Sequence, residues 1–399
     1  MISLKLAVWN IKGKKFKYTI IFLLLFVTSL GVYAGEVLQN SMKKGLEVTQ
    51  SRLGADIIVV PEGFVSQTED ALFKGKACTL NFERSWEAVL RKTEGVNKIS
   101  SQLYIASLSE SDCCDGSIQL IAIDLLNDFA VGPWIEEQHI TNLGNDEIIL
   151  GASFNKEVGD YVTYYNRKFK VVAIMDEAGN GYDKSAFISY EAAELMAADE
   201  KNKNNFPFPA GDDVISMVLI KIDENVDPMV LKNDIEKKYG AEGIAVYSVT
   251  SKVNELAEEV VKFQVFGTVM NVEIIILAGI ALFAVHTITT FQRRNEIGSM
   301  LTVGIGKNKI ISIFLLEYVM VAAISLVLAI VLISIVIVFF RNAIQNFLGV
   351  PFIPVQRPDS LQIILRLILV HIVVLCCSVT SSFYWIYKKN PSDMIKEVA

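Results

Sequence analysis

Apolar residues in this chain are crowded into four runs rather than spread evenly. Residues 18–35, 266–290, 310–340 and 361–387 are each long enough and poor enough in charge to cross a bilayer as a helix, which takes about 20 predominantly apolar residues. Between the first two runs the pattern changes. Leu38, Met42, Leu46, Thr49 and Leu53 recur at helical spacing after the first run, and Val253, Leu256, Val260, Phe263 and Gly267 form a mirror stripe before the second. Neither stripe contains a proline, so both spans are predicted to continue outward as stalk helices over 36–54 and 249–265.

From 55 to 248 the periods shorten and mix. Residues 55–60, 98–108, 117–123, 147–150, 161–165, 168–174, 214–222 and 244–249 read as strands, with Asn166-Arg167 as a hairpin turn. Residues 82–92 and 228–239 read as helices, and 186–196 as strand followed by helix. The stretch 202–213, with Pro207, Pro209, Gly211 and no periodicity, predicts an exposed loop. Strands mixed with segregated helices argue for α+β. The predicted fold is therefore an α-helical membrane protein with four transmembrane helices and an α+β extracytoplasmic domain inserted between helices 1 and 2. The remaining pieces are short. Residues 1–17 hold an amphipathic helix with Leu4, Ala7, Val8 and Ile11 on one face, suited to lie along a membrane surface. Residues 291–309 form a polar break, 341–360 a proline-bearing outer reversal with room for little else, and 388–399 a tail.

Charge fixes which side is which. Residues 36–262 carry 22 Lys and Arg against 38 Asp and Glu, whereas the rest of the chain carries 15 against 6. Basic residues cluster at one end of every span: Lys5, Lys12, Lys14, Lys15 and Lys17 before the first; Arg293, Arg294, Lys307 and Lys309 between the second and third; Lys388, Lys389 and Lys396 after the fourth. By the positive-inside rule both termini are cytoplasmic, in the cell membrane, and the large acidic domain is outside. The basic flank, apolar core and Val32-Tyr33-Ala34-Gly35 also resemble a signal peptide, but the core is longer than a signal core. The first span is expected to be retained. No nucleic-acid partner is expected; the bilayer is the first partner.

Candidate chemistry is sparse. A phosphate-binding loop needs Gly-x-x-x-x-Gly-Lys-Ser/Thr; here Gly306-Lys307 is followed by Asn308, and Leu301 stands where the first glycine belongs. ATP hydrolysis by that route is excluded. No hydrolase constellation emerges from His139, His286 and His371. Glu273 stands at the outer end of the second span. Glu317, near the basic end of the third, is placed to brace the polar break through Arg293 or Arg294. Cys376 and Cys377 read as small packing residues of the fourth span. Outside, Asp112-Cys113-Cys114-Asp115 puts paired thiols in a turn. Either Cys78 forms a disulfide with one of them, or Cys78, Cys113 and Cys114 offer soft ligands to a thiophilic metal or haem iron; the identity of any metal is open.

One combination is specific. Arg294-Asn-Glu296-Ile297-Gly298-Ser-Met-Leu-Thr-Val-Gly304-Ile-Gly306, followed by Ile310 and Phe314-Leu-Leu-Glu317, resembles the signature of FtsX/MacB-type ABC transporter permeases. Asn390-Pro391-Ser-Asp-Met-Ile395 is similar to that family's short tail, and the order of parts agrees. The resemblance implies a non-catalytic permease subunit, paired as a homo- or heterodimer and driven by separate cytoplasmic ATPase subunits that bind ATP and Mg; the permease itself binds no cofactor directly. It implies mechanotransmission, with Arg293, Arg294, Glu296, Ile297, Gly298, Gly304, Gly306 and Glu317 forming the coupling element and 55–248 corresponding to a MacB-like periplasmic core domain. Cargo handled at the outer face by such relatives includes lipoproteins, peptides, drugs and haem; the Asp-Cys-Cys-Asp turn is similar to a subset tied to iron or haem handling. A membrane-anchored receptor with a ligand-binding outer domain is the alternative of another class, and it lacks a cytoplasmic output domain here.

Overall fold

The computed structural model describes residues 2–106, 118–135, 140–355 and 357–388. In chain order the elements are α1 (Ile2–Gly13), α2 (Lys15–Arg52), β1 (Ile57–Pro61), α3 (Val65–Glu69), β2 (Phe82–Glu83), α4 (Ser85–Arg91), β3 (Val96–Ala106), β4 (Gln119–Ile123), β5 (Glu147–Leu150), β6 (Tyr161–Tyr164), β7 (Arg167–Ile174), β8 (Ser185–Ser189), α5 (Tyr190–Ala198), β9 (Val214–Ile215), β10 (Met217–Ile222), α6 (Pro228–Tyr239), β11 (Ile244–Ser248), α7 (Val249–Gln292), α8 (Arg294–Thr302), α9 (Lys307–Leu348) and α10 (Arg357–Lys388). They divide into a helical unit (Met1–Asn40, Lys262–Arg341, Pro354–Ala399) and a sheet unit (Ser41–Val261, Asn342–Ile353).

The helical unit holds the four apolar helices, α2, α7, α9 and α10, each long enough to cross a membrane. Their shared core is Tyr18, Ile21 and Leu25 of α2, Leu282 of α7, Phe314, Tyr318 and Val321 of α9, and Val374, Leu375 and Val379 of α10. The opposite faces stay apolar and exposed, as in Val269, Ile276 and Ile280 of α7 and Val331, Ile335 and Val338 of α9. An apolar surface of that extent is stable only in hydrocarbon.

The sheet unit is built on nine strands in the order β11-β1-β10-β3-β4-β8-β5-β7-β6. Most neighbours are antiparallel; β4–β8 and β5–β7 are parallel. Two cores form on it. α4 and α6 cover the half around β1, β10 and β11, with Leu90, Leu231 and Ile235 on Ile57, Val59 and Val218. α5 covers the other half, with Ala192, Ala193 and Met196 on Leu120, Ile148 and Phe169. β1 is buried along its whole length, between β10 and β11.

Three local expectations change. The hairpin turn is Tyr165-Asn166, both at positive φ (49° and 60°), and Arg167 already belongs to β7; two left-handed residues in a two-residue loop match the strand twist. Residues 202–213 are not a wholly exposed loop. Asn202 is buried and donates to the Tyr165 and Met196 carbonyls at 2.7 and 2.9 Å, and Phe206 and Phe208 enter the α5-side core, edge-to-face with each other. Aromatic area outweighed the prolines there.

The third correction concerns the reversal at 341–360. α9 runs on to Leu348, where Gly349 (φ 69°) ends it, and α10 begins at Arg357. What remains is docked on the sheet unit. Phe352 N–H donates to the Gly179 carbonyl at 2.9 Å, the Gln345 amide donates to the same oxygen at 3.0 Å, and Ile353 N–H donates to the Ser41 carbonyl at 3.2 Å. Val350, Phe352 and Ile353 are buried. Gly179 is at φ 70°, and a Cβ there would lie 2.5 Å from the Ile353 side chain. Gly179→Ala therefore combines backbone strain with a clash, together on the order of 1–2 kcal/mol. The expected outcome is amide exchange at Phe352 about tenfold faster, read by hydrogen-exchange mass spectrometry, with exchange in β5 and β8 unchanged.

Candidate functional site

The polar break between the second and third apolar runs folds as a one-residue joint and a short helix. α7 ends at Gln292, Arg293 takes φ −94° and ψ 11°, and α8 follows as Arg294–Thr302. Gly304 (φ 91°) turns the chain, and Lys307 opens α9. α8 has a buried side and a free side. Ile297 packs into the core of the helical unit, with Ile310 and Phe314, and Gly298 is buried beside it. Asn295, Ser299 and Thr302 are exposed, Gly304 and Gly306 are exposed at the turn, and Val303 just before them is 82% exposed.

The joint is held by one carboxylate. Glu317, fully buried on α9, accepts from Arg293 Nη1 at 3.0 Å, from Asn10 Nδ2 at 2.6 Å, and from the Tyr18 hydroxyl. Arg293 is itself buried, lies 4.3 Å from the Phe314 ring centroid, and donates through Nε to Glu296 at 2.6 Å. Glu296 also takes both of its oxygens to Lys14, at 2.6 and 2.8 Å. Thus α1, the start of α2, α8 and α9 meet through two glutamates. A second tie joins the basic end of α10: Lys307 Nζ donates to the Tyr387 carbonyl at 2.8 Å, and the Tyr387 hydroxyl meets Asn308 Oδ1.

Of the two arginines open to Glu317 by sequence, the structure uses Arg293. Arg294 turns away, its guanidinium 5.0 Å from the Phe291 ring centroid. Asn10, Lys14 and Tyr18 were not legible as site residues. They lie 307, 282 and 299 positions from their glutamate partners, and their only signal was a polar residue or lysine beside a span. His371 shares a hydrogen bond with Ser29 of α2 at 2.8 Å, and His286 packs against the Tyr318 ring; both brace neighbouring helices. Glu273 is exposed on α7, away from this cluster. Cys376 and Cys377 are exposed on α10 rather than packed within the chain, because the apolar face they occupy points out of the bundle.

Cys113, Cys114 and His139 lie outside the described residues, as does the tail from residue 389 onward. Cys78 is half-buried and forms no disulfide among the described residues, and burial pushes its thiol up to about 11. Among the described residues no group of three metal-ligating side chains comes together.

Removing one partner of a buried ion pair leaves an uncompensated charge, at a cost of about 3–5 kcal/mol, whereas replacing both by apolar groups is far milder. Glu317→Ala is expected to lower the melting temperature of the detergent-solubilised chain sharply, and Glu317→Leu combined with Arg293→Met to restore more than half of the loss. The second glutamate gives a pH expectation. Burial works against the Glu296 charge, but hydrogen bonds from Lys14 and Arg293 outweigh it and hold the carboxyl below its ordinary value of 4.5. A depressed acid lends stability that is complete above its unfolded pKa and lost as pH falls through the folded one. Amide exchange in α8, corrected for its intrinsic pH dependence, should stay level down to about 4.5 and rise only below it.

Comparison with known proteins places both units. Residues 20–238 match the MacB-like periplasmic core domain, and residues 268–391 match the FtsX-like permease C-terminal domain. Among solved structures, the extracellular domain of the noncanonic ABC-type transporter YknZ from Gram-positive bacteria is 14% identical, covering 48% of this chain and 98% of that one at a TM-score of 0.28. No curated protein sequence matches. The periplasmic-core match takes in more than half of the chain, and the permease match contains the whole Arg293–Glu296–Glu317 cluster. On those two matches the chain belongs to the FtsX/MacB-like family of ABC transporter permeases.

Proposed function

We propose that this permease has no nucleotide-hydrolysing site of its own and is driven by a separate cytoplasmic ATPase that binds ATP and Mg and acts on α8. The observation that carries the reading is the asymmetry of that helix. Its base is fixed by the buried Arg293–Glu317 pair, while its far end presents exposed Val303 on a glycine turn. A short helix clamped at one end and bare at the other passes a push into the elements that clamp it, here α1, α2 and α9; a loose loop would absorb the push. α2 and α7 are each one continuous helix through their predicted span and stalk, which supports mechanical transmission toward the outer domain.

In this reading the basic ends of the spans and both termini are cytoplasmic, two permease copies work together, and a substrate is exported or extracted at the outer face. The test is reconstitution with the cognate ATPase. Val303→Asp, at the exposed turn, and Glu296→Lys, which sets a cation against Lys14 and Arg293, should each cut permease-stimulated ATP turnover at least about tenfold, equivalent to about 1.4 kcal/mol of lost coupling. Insertion into the membrane should be normal for both. Stimulated turnover equal to that of the parent protein would remove α8 from the mechanism, and failure to co-purify with any nucleotide-binding subunit would remove the separate ATPase.

A further inference from the structure

The elbow between α1 and α2 carries four lysines, and they are not equivalent. Lys14 is bound to Glu296. Lys17 is folded back over the rings of Tyr18 and Tyr318, at 4.7 and 5.5 Å from their centroids. Lys12 and Lys15 are exposed, and neither has an ion-pair partner among the described residues. These two line a trough of about 360 Å³ between the elbow and α9. Its walls are otherwise nearly all apolar: Ile11, Tyr18, Phe22, Val321 and Ile324, with Thr19 the one further polar residue. Phe22 is two helical turns along α2 from Lys15, a rise of roughly 10 Å. Trp9 on α1 and Phe16 at the start of α2 are 81% and 83% exposed, as aromatic side chains are at the level of lipid headgroups.

We infer that this trough is a binding site for one anionic phospholipid of the leaflet at the basic end of the spans, its phosphate between Lys12 and Lys15 and the upper part of an acyl chain along Phe22, Val321 and Ile324. Charge complementarity selects the occupant. Two cations with no ion-pair partner among the described residues, over an apolar trough, suit a ligand that is anionic at one end and hydrocarbon at the other. A second copy of the chain on a two-fold axis would bring the same lysines against each other. The site also has a structural consequence. Tyr18 lines the trough and donates its hydroxyl to Glu317, so a bound lipid packs against the residue that helps fix α8. The position of the site follows from the orientation proposed above, but its test contains no ATPase, so the two can fail separately.

The experiment is native mass spectrometry of the detergent-solubilised full chain, titrated with phosphatidylglycerol and, in parallel, with phosphatidylcholine. Phosphatidylglycerol should be retained at several-fold lower concentration. Lys12→Glu and Lys15→Glu should each weaken it by at least about fivefold, the contribution of one lysine at an anionic surface. Lys5→Glu, an equal change of charge on an exposed α1 residue outside the trough, should leave retention unchanged. Ile324→Trp fills the trough while sparing both lysines and should also weaken retention. Equal retention of the two lipids overturns the site. So does an effect of Lys5→Glu as large as that of Lys15→Glu, full retention in Ile324→Trp (both mean diffuse charge only), or a lipid-free dimer that dissociates on Lys15→Glu.

Discussion

A carboxylate buried at the end of a membrane span has to be satisfied from several directions, and Glu317 collects its donors from three elements. Arg293 comes from the joint before α8, Asn10 from α1 and Tyr18 from the first turn of α2. Each donor is far from Glu317 in sequence, so the ion cannot be desolvated until these elements have come together. The cost of burying it is large, and the pair adds little net stability compared with apolar packing of similar volume. What it supplies is position. Ile297 alone would hold α8 against the core with some freedom to slide; the guanidinium between Glu296 and Glu317 fixes both its base and its rotation.

The sheet unit depends on a different constraint, the closing of backbone hydrogen bonds. Its two halves have separate cores, and the strands running through both keep it one sheet. The Gly179 carbonyl extends that logic to the end of α9 and the segment after it, accepting from the Gln345 side chain and the Phe352 N–H. A reversal between two spans thereby becomes part of the outer domain.

The elbow joins anchoring to environment. Four lysines that look alike in the sequence divide into one that binds Glu296, one that lies over tyrosine rings, and two that face outward over an apolar trough. Only the last two remain for a lipid. Tyr18, which lines that trough, is also a donor to Glu317.

The sequence by itself determined the class of the protein. Four long apolar runs, the opposed charges of the outer stretch and the span ends, and the Arg-x-Glu-Ile-Gly pattern near a span glutamate are all local, and the physics behind each acts over one helix length or one bilayer thickness. Strand and helix positions in the outer domain were largely legible for the same reason. What only the tertiary structure decided was pairing at long range. That Arg293 and not Arg294 takes Glu317, that Asn10, Lys14 and Tyr18 complete the cluster, that Phe206 and Phe208 leave a proline-rich loop for the core, and that 349–353 docks on Gly179 all depend on which surfaces meet. Adjacent arginines on a helical path point about 100° apart, so their spacing could not say which one turns inward. Seating Ile297 on Ile310 and Phe314 brings Arg293 to the inside, and its guanidinium between Glu296 and Glu317 then fixes that rotation.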